Sequence, residues 1–396
     1  MSADTTQQAG KPTGPRQTPL HSVHSALGAS FTDFGGWDMP LKYGSELAEH
    51  RAVRDAAGIF DLSHMGEVRV TGAEAAAFLD FALLATYSTM KVGKAKYGVI
   101  VDESAGIIDD LITYRMADEE YLVVPNASNT PAVAAALAER AEQFRSAGTA
   151  DAGSVDLEVR DESGDTALIA VQGPAAEAIL LATQDDAGAR AGIEDLKYYA
   201  WAPLTVSGID VMLARTGYTG EDGFELYLPN PQAVSLWEAL TAAGEGHGLV
   251  PAGLAARDSL RLEAGMPLYG NELSRQTTPI DAGLGRMVTA ALKNKSEFWA
   301  RAALEQLAGT EPARVLAGLT SEGRRAARAG AVVSVDGSEV GTVTSGQPSP
   351  TLGHPIALAY LDSAAAEPGT AVSVDIRGKA NDFTVTALPF YSRKQD

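Results

Sequence analysis

The sequence predicts an α+β fold: a duplicated α+β body followed by a small all-β domain. Three observations carry this expectation. The first is a recurring strand–glycine–helix segment. Val68-Arg69-Val70-Thr71-Gly72 leads into an apolar helix over Ala73 to Leu84, and Ile169-Ala170-Val171-Gln172-Gly173 leads into a helix over Pro174 to Ala182. The second is another repeated landmark. Tyr121 to Val124 ends at Pro125-Asn126 before a helix near Pro131, and Phe224 to Leu228 ends at Pro229-Asn230 before a helix at Pro231. Both pairs of landmarks are offset by about 100 residues, as a tandem duplication requires. The third is a change of composition after Arg314. There, β-branched segments at Ala331–Val335, Val340–Thr344, Ala371–Ile376 and Phe383–Ala387 alternate with glycine turns, and Asp336-Gly337 is a hairpin signal.

Taken in order, residues 1–17 read as a disordered tail, because they have no apolar run and no amphipathic pattern. The body runs over 18–290, with its repeats at about 60–145 and 160–250. Each repeat carries a hairpin. The first spans Tyr97 to Met116 and turns at Glu103-Ser104-Ala105-Gly106; the second spans Val211 to Leu228 and turns through Gly217 to Gly223. Two halves related by a pseudo-twofold would bring these hairpins face to face, with a ligand cleft between them. Gly35-Gly36-Trp37-Asp38-Met39-Pro40 reads as a loop. A helical connector is expected over 291–312 and the all-β domain over 313–393.

Composition narrows the function. The chain has 396 residues, more than one core of about 250–300 residues usually supports. Its 31 Lys+Arg against 51 Asp+Glu give a net charge of −20, which disfavours nucleic acid and anionic membranes. The absence of cysteine removes disulfides, thiolate nucleophiles and Cys-ligated metals. No metal site is expected, since none of the six histidines has a carboxylate at ligand spacing. No P-loop, dinucleotide fingerprint or G-x-S-x-G elbow is present, and no apolar run is long enough to span a bilayer. A cytoplasmic location follows as an expectation.

Several residues could carry chemistry. Asp109 and Asp110 are adjacent on a strand and point to opposite faces; the alternation puts Asp110 on the side of Ile108 and Ile112. A carboxylate on such a face is costly unless it is paired or used as an acceptor or base. Glu225 shares a strand face with Tyr227, opposite Phe224, Leu226 and Leu228, and either accepts from a heterocycle or faces water. Arg257 and Arg261 are four apart on a helix that begins at Pro251 and ends at Gly265. They either clamp an anion or pair with Asp258 and Glu263. Tyr43, Tyr97, Tyr114, Tyr198 and Tyr218 offer flat surfaces. Ser63-His64-Met65 lacks a supporting Asp for a nucleophile–base pair.

Together these residues resemble the T-protein of the glycine cleavage system. The matching motifs are Asp33-Phe34-Gly35-Gly36-Trp37-Asp38-Met39-Pro40-Leu41, Phe60-Asp61-Leu62-Ser63-His64-Met65-Gly66, Gly106 to Leu111, Gly217 to Glu225, Gly253 to Gly270 and Thr344 to Gly353. The resemblance covers roughly residues 18 to 392. It implies a folate-binding body and a C-terminal β-barrel, in three lobes around a central channel. It also implies an aminomethyltransferase that takes its one-carbon unit from the lipoyl arm of H-protein, releases ammonia and forms 5,10-methylenetetrahydrofolate. By the same resemblance Asp110 is the catalytic carboxylate at folate N10, and Glu225 binds the pterin as a two-point acceptor with Arg257 nearby. Met65, Tyr97, Tyr114, Val124, Asn126, Tyr198 and Tyr218 line the pocket.

H-protein would dock on a basic patch at Arg286 or at Arg324-Arg325 with Arg328. The family pattern is broken at Pro125, which removes a backbone N–H beside the pocket, and at Asn271. Rival readings are another tetrahydrofolate-dependent transferase or demethylase, and a non-enzymatic folate-binding accessory protein. The accessory relatives depend on a cysteine motif that this chain lacks.

Overall fold

In the computed structural model, which describes residues 14–148 and 155–393, the repeated glycines sit at matching positions. Strand Val68–Thr71 runs through Gly72 to helix Ala75–Ala82, and strand Thr166–Gln172 runs through Gly173 to helix Ala176–Ala182. Gly72 has φ 115° and Gly173 φ 132°, a region that L-residues with side chains avoid. A Cβ at Gly72 would lie 2.1 Å from the Asp156 carbonyl oxygen, and one at Gly173 would lie 2.5 Å from that of Ala56. Each glycine therefore lets the chain pass against the segment that leads into the other repeat.

The two sheets repeat the same order. One runs Ala95–Val101, Ile107–Ala117, Glu120–Pro125, Val68–Thr71; the other runs Trp201–Val206, Ile209–Ala214, Gly223–Pro229, Thr166–Gln172. The strands that precede each repeat then cross over. Glu158–Asp161 pairs with Val68–Thr71, whereas Ala57–Asp61 pairs with Thr166–Gln172. A short parallel strand, Leu249–Pro251, completes the second sheet beside Ala57–Asp61. This exchange ties the two halves together through backbone hydrogen bonds.

Side-chain alternation explains the layering. Phe224, Leu226 and Leu228 face outward into a core with helices Ala176–Ala182 and Ala233–Gly244. Val68, Val70, Tyr121 and Val123 do the same with helices Ala75–Ala82 and Thr130–Gly148. The inner faces contribute Tyr114, Leu122 and Val124 from one sheet and Leu168, Ala170 and Tyr227 from the other. These meet Ala256 and Leu260 of helix Leu254–Glu263. The two hairpins do face one another across this inner layer.

Some expectations change. The Gly35–Pro40 segment is not a loop: a tight turn at Gly35-Gly36 joins strand Ser30–Phe34 to strand Trp37–Lys42, in the register Phe34↔Trp37. Most of the expected tail lies outside the described residues. Within its described part, Arg16 exchanges backbone hydrogen bonds with Gly36 and Asp38 and stacks on Trp37 at 4.2 Å. The connector region holds two helices, Gly285–Asn294 and Arg301–Ala308. Between them Lys295 is buried, and its ammonium donates to the carbonyls of Asp80, Leu83, Leu84 and Ala85 at 2.7–2.9 Å. It satisfies carbonyls at the end of helix Ala75–Ala82 that have no partner within the helix.

The C-terminal strands close into a six-stranded barrel. Two of its strands, Arg314–Thr320 and Pro355–Asp362, were not read from sequence. Pro355–Asp362 is buried along nearly its whole length, so it lacks the alternation that marks a half-exposed strand. The barrel docks through Glu263, at the end of helix Leu254–Glu263. Its buried carboxylate accepts from Arg54 at 2.8 and 3.1 Å, from the Thr351 N–H at 3.0 Å and the Thr351 hydroxyl at 2.7 Å, and from Ser349, with His50 3.2 Å away. Burial alone would raise its pKa; His50, Ser349 and Arg54 reverse this and bring it down from 4.5 to about 2.

A carboxyl whose pKa falls on folding contributes stability above its unfolded pKa and loses it as pH falls through the folded one. Conformational stability should therefore decline between pH 4.5 and about 2. Glu263→Gln should cost roughly 3 kcal/mol near neutral pH and flatten that decline. Urea unfolding at several pH values measures both effects.

Candidate functional site

A cavity of about 460 Å³ opens where the two inner sheet faces meet the barrel. Asp110 reaches it from strand Ile107–Ala117, Glu225 from strand Gly223–Pro229, and Leu316 and Leu388 from the barrel and the segment that follows it. All three parts of the fold thus contribute to one space.

On the first sheet, the register pairs Val99 with Asp110 and Tyr97 with Ile112, which makes Tyr97 the diagonal neighbour of Asp110. The Tyr97 hydroxyl donates to Asp110 Oδ2 at 3.1 Å. Asn126 follows the adjacent strand Glu120–Pro125, and its amide Nδ2 lies between both acids. It donates to Asp109 Oδ1 at 2.8 Å and Asp110 Oδ1 at 2.9 Å. Asp109 is fully buried, and it also accepts from the Asn126 N–H at 2.8 Å and from Asn129 at 2.7 Å. The two acids therefore divide roles: Asp109 is enclosed by donors, while Asp110 faces the cavity. Burial raises the pKa of Asp109, with the charge of Asp110 adding to it. Burial also raises that of Asp110, against the hydrogen bonds from Tyr97 and Asn126.

On the second sheet, Glu225 is buried instead of facing water. Its Oε2 accepts from the Tyr114 hydroxyl at 3.4 Å and from the Thr216 hydroxyl. Tyr114 and Thr216 are 2.9 Å apart, and Tyr227 donates to Tyr114 at 3.4 Å. Burial raises the Glu225 pKa, while these donors and the charge of Arg257 oppose it. Arg257 lines the cavity with its guanidinium 4.9 Å from the Tyr218 ring, and it makes no ion pair among the described residues. Arg261 does not join it. Its guanidinium is taken by Asp258 at 2.8 Å, by Glu272 at 3.0 Å and by Ser345 of the barrel.

Of the residues expected to line the pocket, Met65, Tyr97, Val124, Asn126 and Tyr218 lie on the wall. Tyr114 stands behind it, fully buried, and reaches the site through Glu225. Tyr198 is turned outward and is 49% exposed under Arg393. Its neighbour Tyr199 has φ 56°, and this backbone turn sends the Tyr199 ring to the wall instead. Sequence reasoning also passed over His64 as a wall residue, Asn129 and Thr216. Tyr227 had a signal, the face it shares with Glu225. Pro125 is buried and off the wall, and its carbonyl accepts from Gly66 at 3.0 Å. Asn271 donates to Ser345 at 3.0 Å. No group of three or more potential ligands for a metal ion occurs among the described residues.

A second, more open cavity of about 740 Å³ shares Phe34, Tyr218, Leu268 and Arg257 with the first. It leads outward past Arg328, Gln347 and the Ser30–Lys42 hairpin. The two cavities thus adjoin at the four residues they share, with Asp110 and Glu225 on the inner one.

A duplicated α+β body closed by a barrel, with carboxylates of both halves facing one apolar cavity, defines a class of ligand-binding enzyme bodies. Residues 20–291 match the GCVT N-terminal domain family, and residues 314–392 match the glycine cleavage T-protein C-terminal barrel domain. An aminomethyltransferase of Streptomyces coelicolor is 54% identical over 96% of this chain and 98% of its own length. One of Corynebacterium aurimucosum is 55% identical over 95% of this chain and 98% of its own. The crystal structure of glycine cleavage system aminomethyltransferase T from Bartonella henselae superposes with a TM-score of 0.83 at 37% identity, covering 95% of this chain and 98% of that one. The chain belongs to the glycine cleavage T-protein family.

Asn126→Ala should leave both acids short of donors. The expected cost is about 1–3 kcal/mol in thermal unfolding, together with an upward shift of the pH at which Asp110 ionises, followed by carboxyl NMR.

Proposed function

We propose that this protein is the aminomethyltransferase of the glycine cleavage system, with tetrahydrofolate as co-substrate and the lipoyl arm of H-protein as donor. The observation that carries this reading is the placement of Asp110 and Glu225, from opposite sheets, on one largely apolar cavity. A flat heterocycle with N–H donors fits such a space: Tyr97, Tyr199, Tyr218, Leu111 and Ile112 supply apolar surface and the carboxylates supply acceptors at separate points.

Tetrahydrofolate supplies the two nitrogens that take up the one-carbon unit. In the overall reaction the aminomethyl carbon loses its bonds to sulfur and to the amine and gains two bonds to folate nitrogens. The two displaced folate protons leave with ammonia and the thiol. Asp110 orients the N10 proton and accepts it. Its raised pKa suits a base that must also release the proton. Glu225, with Oε2 held by hydroxyls, presents its other oxygen to the pterin, and Arg257 balances the carboxylate charge. The apolar walls keep water from the carbon under transfer.

The body over 18–290, the connector over 291–312 and the barrel over 313–393 act as the units of this arrangement, in the cytoplasm. No helix among the described residues is long and apolar enough to cross a membrane.

Incubating the protein with aminomethyl-loaded H-protein and tetrahydrofolate should release ammonia and form methylenetetrahydrofolate. Absence of both products with an active partner would overturn the reading. Asp110→Asn should lower kcat about 100-fold or more while KM for folate changes little; unchanged kcat would make the carboxylate structural. The exposed Arg324 and Arg325 form the docking patch for H-protein. The double reversal R324E/R325E should raise the H-protein Kd about tenfold at low salt, with the effect shrinking as salt screens it.

A further inference from the structure

His64 is a titratable group on the inner cavity wall whose chemistry the reading above leaves unused. It lies in the turn between strands Ala57–Asp61 and Val68–Thr71, and its side chain is 3% exposed. The ring packs edge-on against Phe34, with centroids 5.5 Å apart and planes at 83°. The neighbouring Ser63 does not approach it as a nucleophile would: the Ser63 hydroxyl donates to the Leu168 carbonyl and accepts from the Leu168 N–H. The charged groups that face the ring are Asp61 and Arg257. Asp61 is already held by His24 at 2.9 Å and Thr18 at 2.6 Å. Burial disfavours the imidazolium and brings the pKa down to about 4; Asp61 resists this and Arg257 adds to it. The ring is neutral at physiological pH.

A neutral imidazole carries one N–H and one bare lone pair. Nδ1 of His64 is buried with no partner. A buried N–H without an acceptor is rarer in proteins, and costlier, than an acceptor without a donor. The bare nitrogen therefore belongs at Nδ1 and the proton at Nε2, the polar atom left to face the cavity that His64 lines. Asp110 and Glu225 present acceptors to the same space. A ligand with N–H donors alone would leave His64 unmatched, whereas a heterocycle that also carries an acceptor on its edge would satisfy all three groups.

We propose that His64 donates its Nε2–H to a hydrogen-bond acceptor on the edge of the heterocycle bound in this cavity, and so helps select that ligand. The assignment rests on the folate reading, which it extends to a second side of the ligand. Its role is binding and orientation, with no part in proton transfer.

Two measurements test it. Ring ¹⁵N NMR of the free protein should show a protonated Nε2 and a bare Nδ1, unchanged from pH 8 to about pH 5; an Nδ1–H tautomer or an imidazolium in that range would overturn the proposal. Calorimetric titration with tetrahydrofolate should give a Kd about five- to tenfold higher for His64→Phe, which keeps the edge-on packing but lacks the donor. His64→Gln, which retains an N–H, should recover most of the loss, and the acid limb of the kcat profile should not move in either variant. Wild-type affinity in His64→Phe would overturn the donor role alone. No tetrahydrofolate binding by the wild-type protein would overturn the folate reading and, with it, the ligand assigned to His64.

Discussion

Carboxylates held between two sheets are the constraint on which this structure turns. Taking an ionised carboxyl out of water costs several kcal/mol unless donors replace its hydration. Five of the acids in its interior are treated in two ways. Glu263 and Glu272 are surrounded by donors from body and barrel alike: Arg54, His50, Ser349 and Thr351 around one, and Arg261, Ser345 and the Leu268 N–H around the other. These saturated groups fix where the barrel sits. Asp109 is saturated too, and it holds Asn126 and Asn129 in place.

Asp110 and Glu225 differ in having donors on one side only. Each is supported from behind, by Asn126 and Tyr97 in one case and by Thr216 and Tyr114 in the other, and each opens onto the cavity in front. Burial raises their pKa values against the donors behind them, and the open side leaves acceptor capacity for a ligand. The same logic accounts for the hydroxyls behind Glu225. Tyr227, Tyr114 and Thr216 form a chain that orients the carboxylate without neutralising it, as a positively charged partner in contact would. Glu67 differs from all five: both its oxygens are buried without partners, and burial, with the charges of the nearby Asp161 and Glu162, pushes its pKa well up.

How much of this was legible in the sequence depends on the range of the interaction. The strand–glycine–helix repeats are local patterns, and both appear in the fold at matching places. The face shared by Glu225 and Tyr227 is also local, since strand alternation alone assigns it. The crossing over of the strands before each repeat was invisible, because pairing Ala57–Asp61 with Thr166–Gln172 instead of with its own repeat leaves no mark on either segment. Tyr198 and Tyr199 show the limit at single-residue scale. The family resemblance pointed to Tyr198, but one left-handed residue exchanges which ring turns inward. The Asp109–Asp110 pair sits in between: alternation separated their faces, yet which acid would be enclosed depended on Asn126 and Asn129, which a different strand delivers.

The acidic composition also acquires a location. A net charge of −20 disfavours nucleic acid at the level of the whole chain, but the lining of the two cavities is not uniformly acidic. Arg328 lines the outer cavity and Arg257 stands where the outer and inner cavities join, between Tyr218 and the field of Glu225. Burial lowers the Arg257 pKa while Glu225 and two tyrosines sustain its charge, so the guanidinium remains a cation without a partner in contact. The outer lining is mixed in charge, with Asp33, Glu46 and Asp258 beside Arg328 and Arg257, while the inner one ends at the two carboxylates that accept hydrogen bonds.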